Sequence, residues 1–78
     1  MTKYKTVMTD GYLQEVNMDK TLKSALKSAY DNLTFNSHLI VTICKVGEAG
    51  ELIPAFDSRD QYIYEEDGVY RVGRRKEA

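Results

Sequence analysis

The stretch "DKTLKSALKSAYDNL", residues 19–33, is the segment of this chain with clear helical periodicity, and the rest of the architecture has to be built around it. Leu22, Ala25, Leu26, Ala29, Tyr30 and Leu33 recur at three- and four-residue steps and fall on one stripe. Asp19 is the expected N-cap, because its carboxylate can accept the unpaired amides of the first turn and faces the positive helix end. The helix is predicted to stop near Asn32 or Leu33, before the polar "TFNS" connection.

The segments on either side read as strands. "KYKTVMTDGYLQEVN" predicts a β-hairpin, and a three-residue "TDG" loop would set Val7 opposite Leu13, Lys5 opposite Glu15 and Tyr4 opposite Val16. A two-residue loop on Asp10-Gly11 would place Val7 against Gln14 and Lys5 against Val16. The first register pairs apolar with apolar and acid with base, and is preferred. After the helix, "HLIVTICKV" is apolar at both parities, as expected of a strand covered on both faces or central in a sheet. "GEAGE" turns the chain into "LIPAFD", where Pro54 cannot donate to a ladder and predicts an edge or a bulge.

The closing stretch "YIYEEDGVYRVGRRK" is a second hairpin. With "EDG" as a three-residue loop, Tyr64 faces Tyr70, Tyr62 faces Val72, and all lie on one side. With a two-residue loop, Ile63 faces Val72, and Tyr62, Tyr64 and Arg71 share the other side. The first register gathers more apolar surface and is preferred, with the tyrosines in or beside the core.

At 78 residues, with 42% hydrophobic and 29% charged residues, the chain suits one small ordered domain. Its single cysteine, Cys44, excludes an internal disulfide and a thiol cluster for zinc. "MTKYKTVMTDGY" lacks the apolar core of a signal peptide and no apolar run reaches membrane-spanning length, so a cytoplasmic protein without a membrane partner is expected. The "NLT" triplet at Asn32 carries no weight without a secretory signal. The fold class is α+β: a single small domain over residues 1–73 in the order ββαβββ, its mixed or antiparallel sheet packed on one amphipathic helix. Residues 74–78 read as a basic, flexible C-terminal tail.

The glycine-turned first hairpin, "VNMDKTLKSALKSAY", the later "VGEAGELIPAFD" and the closing "EDGVYRV" together resemble the β-grasp arrangement of ubiquitin-like proteins and small TGS domains. That resemblance covers most of residues 4–72 as a pattern of spacings. It implies that residues 4–8 pair in parallel with residues 69–73, whereas a plain antiparallel sheet backed by one helix would not pair them. The chain has Gly73 followed by "RRKEA" where a ubiquitin-like modifier ends in exposed glycines, so conjugation is not implied.

Catalytic constellations are wanting. His38 and Cys44 lie six residues apart in one predicted strand, about 20 Å at the strand rise, too far for a base to reach a nucleophile. Cys44 suits a small buried hydrophobe and His38 a loop junction. Asp57 and Asp60 bracket "SR" without the array of oxygen ligands that a metal loop needs, and no phosphate loop or dinucleotide fingerprint is present. No enzyme activity, cofactor or metal is therefore expected.

Charge is unevenly spread around a net of −1. Residues 1–45 hold six lysines against four acids, residues 46–70 hold seven acids against Arg59, and the last eight hold Arg71, Arg74, Arg75 and Lys76 against Glu77. The acids Glu48, Glu51, Asp57, Asp60, Glu65, Glu66 and Asp67 are candidates to meet a basic groove on a larger protein. By analogy of size and charge, accessory proteins of phages and mobile elements use such surfaces to occupy nucleic-acid channels. The expected function is a non-enzymatic interaction domain acting as adaptor, regulator or inhibitor.

The alternative is a nucleic-acid-binding module. Tyr62 and Tyr64 would stack on bases while Arg71, Arg74, Arg75 and Lys76 hold phosphate, helped by Lys20, Lys23 and Lys27 on the helix. Against it, Glu65, Glu66 and Asp67 in the same hairpin would repel a phosphate backbone. Exposure of Tyr62 and Tyr64 discriminates the two readings. The sequence leaves monomer and dimer equally open.

Overall fold

The computed structural model describes residues 3–75. Two strands, β1 (Lys3–Thr9) and β2 (Gln14–Asp19), precede the helix α1 (Leu22–Phe35). Four follow it: β3 (Ile40–Val46), β4 (Leu52–Asp57), β5 (Gln61–Glu66) and β6 (Val69–Arg74). The order is ββαββββ; the strand beyond the expected ββαβββ is the first arm of the closing hairpin.

β1 to β4 form an antiparallel sheet in the order β2-β1-β3-β4, and β5 and β6 form a separate two-stranded sheet. Because β2 and β3 both run antiparallel to β1, they run parallel to each other. A link between parallel strands needs a crossover, and α1 supplies it, passing over β1. The parallel pairing of residues 4–8 with 69–73 implied by the β-grasp resemblance is not formed. Both edges of β1 are taken by β2 and β3, and β6 pairs with β5. The likeness to ubiquitin-like and TGS domains ends at part of the element order.

The helix differs from expectation at both ends. Asp19 is the last residue of β2, paired with Tyr4, so it cannot cap. Thr21 caps instead, its Oγ1 accepting from the Ser24 amide at 3.1 Å, while Asp19 Oδ1 accepts from Ser24 Oγ at 2.8 Å. At the other end the helix runs through Phe35, and the Asn36 amide closes it on the Asn32 carbonyl at 2.8 Å.

Neither weighed register of the first hairpin is adopted. Val7 faces Val16, Lys5 faces Met18 and Tyr4 faces Asp19, around a four-residue loop, 10–13. The cause is Asp10, whose Oδ1 accepts from the amides of Tyr12 and Leu13 at 2.8 and 2.9 Å and so widens the turn. These two hydrogen bonds also hold the Asp10 carboxyl below its ordinary value.

In the closing hairpin the preferred register is replaced by the two-residue one: Ile63 faces Val72 and Tyr64 faces Arg71. Asp67 and Gly68 both have positive φ, 53° and 77°. That pair of conformations is a type I′ turn, whose twist matches the strands it joins and which Asp-Gly favours.

The core lies between the sheet and the elements on its inner side. Met8, Val41, Ile43 and Phe56 from the sheet meet Ala25, Leu26 and Ala29 of α1 and Ile63 of β5. Burying each of the larger side chains contributes roughly 1.5–3 kcal/mol. Tyr70 and Val72 pack against this cluster, and the Tyr70 ring lies 5.4 Å from that of Tyr30. Burial, together with the negative charges of Asp31 and Glu65, raises the Tyr70 hydroxyl above its ordinary pKa.

β4 is an edge strand, as Pro54 foretold, with a bulge opposite Ile43 and Cys44. The strand β6 continues to Arg74, one residue past the expected domain boundary. Arg75 then ties the chain back, its amide donating to the Asp60 carbonyl at 2.9 Å and its Nε to the Ser58 carbonyl at 3.1 Å. No helix among the described residues is long and apolar enough to cross a membrane.

Candidate functional site

The register of the four-stranded sheet sorts its residues into two faces, because residues directly opposite one another point the same way. Thr6, Met8, Val41, Ile43 and Phe56 point inward and are buried. On the other side, Val16 and Met18 of β2 stand beside Val7 and Lys5 of β1. Those stand beside Thr42 and Cys44 of β3, and Cys44 stands beside Pro54 of β4. Ile40, Val46 and Leu52 extend the same face.

Since α1 and the closing hairpin both join the inner core, no other element among the described residues covers this outer face. Val16, Met18, Ile40 and Leu52 on it are 47%, 53%, 40% and 53% exposed, while Val7, Cys44 and Val46 are half-buried. Two cations, Lys3 and Lys5, sit on it in the interior strand β1. Its carboxylate, Asp57, at one end of β4, is held in a two-point pair by Arg59 at 3.0 and 2.7 Å. That pairing keeps the Asp57 carboxyl below its usual range and raises the Arg59 guanidinium.

The acidic candidates occupy three places. Glu48 and Glu51 lie in the β3–β4 turn, where Glu51 Oε2 accepts from the Ala49 amide at 3.0 Å. Asp57 and Asp60 lie at the opposite end of β4. Glu65, Glu66 and Asp67 form the tip of the closing hairpin, with Glu66 3.7 Å from Arg71.

The nucleic-acid candidates are better gathered. Tyr62 and Tyr64 are 42% and 37% exposed, their rings are 5.8 Å apart, and Arg71 stands across from Tyr64. Arg75 is engaged with the 58–60 turn, and it and Arg74, both exposed, line an open groove of about 640 Å³ beside β4. Lys20, Lys23 and Lys27 are exposed, the first ahead of α1 and the others on it. Lys76 lies outside the described residues.

Cys44 is partly exposed on the outer sheet face, and His38 is exposed in the turn before β3. Among the described residues no three His, Cys, Asp or Glu side chains are grouped to hold a metal ion. Comparison with protein-family models, with curated proteins and with solved structures found no match.

The outer face was missed in the sequence, although its signal is present there. "HLIVTICKV" is apolar at both parities, which suggested two covered faces. One helix and a short hairpin gather on the inner side, and no other described element reaches the second face.

Proposed function

We propose that this chain is a non-enzymatic interaction domain that binds a larger protein, as an adaptor, regulator or inhibitor, through the outer face of its four-stranded sheet. The observation that carries this reading is that the face exposes Val16, Met18, Ile40 and Leu52 and is covered by no other element among the described residues. Contiguous exposed apolar surface on a small domain marks a contact site, because leaving it in water costs free energy that a partner can recover. The carboxylates of the two β4 turns and the hairpin tip lie outside this face and steer approach toward basic groups that flank the partner's contact element.

The test is a triple variant, Val16→Thr, Met18→Gln and Leu52→Thr, which removes apolar surface without touching the core. Both proteins are used as bait in nuclease-treated lysate of the source cells. A partner held by the unaltered protein and lost by a folded variant supports the reading. Identical capture by both would remove the outer face from consideration.

A second reading is favoured by one observation, the exposure of the neighbouring Tyr62 and Tyr64 rings, tilted 39° to each other, beside Arg71. Such a platform suits the bases of a single strand. Glu66, on the same side of the hairpin and near Arg71, opposes it. Fluorescence anisotropy with labelled single-stranded and duplex oligonucleotides decides. Micromolar binding that falls steeply with salt and disappears in Tyr62→Ala/Tyr64→Ala would put this reading first.

A further inference from the structure

We infer that the element covering the outer sheet face is an acidic amphipathic helix of the partner, with its apolar stripe along β3 and its carboxylates on Lys3 and Lys5. The inference rests on the protein-binding reading above and deepens it. Three features lead to this occupant: the size of the face, the pattern of its side chains and the sign of its charge.

Four strands at about 4.8 Å spacing make a face about 19 Å across, and the seven residues of β3 run about 23 Å. A helix about 10–12 Å thick and of some 15 residues matches that length and covers the middle of the face. The domain already does this on its other side, where the 14-residue α1 packs on β1 and β2. A second helix would complete three layers, with the sheet buried on both faces.

The side chains fit a helix along β3. Ile40, Thr42, Cys44 and Val46 form its floor, with Leu52, Pro54 and the Arg59-bound Asp57 on one flank. On the other flank lie Lys3 and Lys5, two residues apart on β1 and so about 7 Å apart, close to the spacing of residues i and i+4 on a helix. Neither lysine has a carboxylate within ion-pair distance among the described residues.

Charge argues against a second copy of this chain as the occupant. Any two-fold pairing of this face with its copy would place Lys3 and Lys5 of both chains in one interface, while the face's carboxylate, Asp57, is already held by Arg59. Four ammonium groups would then share the interface without a free counter-charge on the face, which is costly. A partner helix with glutamate or aspartate on one edge of its stripe turns the same two lysines into a source of specificity.

The experiment is a displayed library of 16-residue amphipathic helices with a fixed apolar stripe and flanking positions drawn from Glu, Gln and Lys, selected on the intact protein. The expected winners carry Glu on one flank of the stripe. A synthesised winner should perturb the amide resonances of β3 and β1. It should bind Lys3→Glu/Lys5→Glu about tenfold or more weakly. A Lys-flanked version of the same peptide should show the reverse preference, which guards against a variant that merely folds poorly.

Winners that map to the face with no preference for Glu would overturn the acidic helix and leave the protein-binding reading standing. Absence of any winner on this face, while lysate capture still depends on Val16, Met18 and Leu52, would do the same. Concentration-dependent dimerisation through the face, seen by sedimentation, would overturn the inference in favour of a second copy. Binding of the face to phosphatidylserine vesicles in place of any peptide would overturn both.

Discussion

The ring of Tyr62 lies across the strand over Gly73, in the space that a side chain at position 73 would need. A Cβ built there would come 2.5 Å from Cζ of the tyrosine, closer than real Cβ contacts permit. Gly73→Ala is therefore expected to push the ring away from its place beside Tyr64. The lost contact is offset by the smaller entropy of the unfolded chain, leaving stability within about 1 kcal/mol of the parent. Loss of ring-to-ring NOEs between positions 62 and 64 would show the displacement; unchanged NOEs would refute it.

Thr6 is fully buried on the inner face of the sheet, and its Oγ1 has no hydrogen-bond partner among the described residues. A hydroxyl in that position has given up water without compensation. Thr6→Val keeps the shape and removes the orphan, so it should raise the urea midpoint, by about 1 kcal/mol in unfolding free energy. A lower midpoint would mean that the hydroxyl is satisfied in solution.

Phe56 joins the edge strand β4 to the core and is 2% exposed. Phe56→Ala should cost about 3–5 kcal/mol, from lost burial and the cavity left behind. Much of the total stability of a domain this small would go with it. Circular dichroism on heating should show a broad transition far below that of the parent. A shift of only a few degrees would place Phe56 outside the cooperative core.

The Arg59 partner holds the Asp57 carboxyl below 3.8. A depressed carboxyl stabilises the fold above its unfolded pKa, and this contribution fades as pH falls through the lower folded value. The window thus lies below about pH 4. In Arg59→Gln the Asp57 carbon resonance should titrate at higher pH than in the parent, while stability at pH 7 changes little because the pair is largely exposed. An unmoved titration would show that the pair does not persist in solution.

Tyr70 is shifted the other way, so its ionisation is resisted in the folded state. The stability it contributes is present below pH 10 and is lost as pH climbs through the raised folded value. Tyr70→Phe should remove a late component from the ultraviolet titration of phenolate and blunt alkaline unfolding. A titration curve that loses only its earliest part would contradict the burial of this ring.

Local chemistry was legible in the chain. The spacing of Leu22, Ala25, Leu26 and Ala29 marked the helix, and Pro54 marked an edge. The runs around Val41 and Phe56 marked strands, because periodicity and proline geometry act over a few residues. Helix ends and hairpin registers were less legible, since each turned on one competing contact. Pairing with Tyr4 took Asp19 out of the cap, Asp10 widened the first turn, and a type I′ turn moved Tyr62 and Tyr64 outward while Tyr70 stayed at the core.

By itself, then, the sequence determined a small α+β domain, one helix and its strand segments. Only the tertiary structure decided which sheet face was covered. A strand apolar at both parities can bury either side, and the choice depends on where the remaining elements settle. Leu26, Ile63, Tyr70 and Val72 drew the helix and the closing hairpin to the same side of the sheet. The uncovered outer face, and with it the candidate site, is the physical consequence of that shared packing.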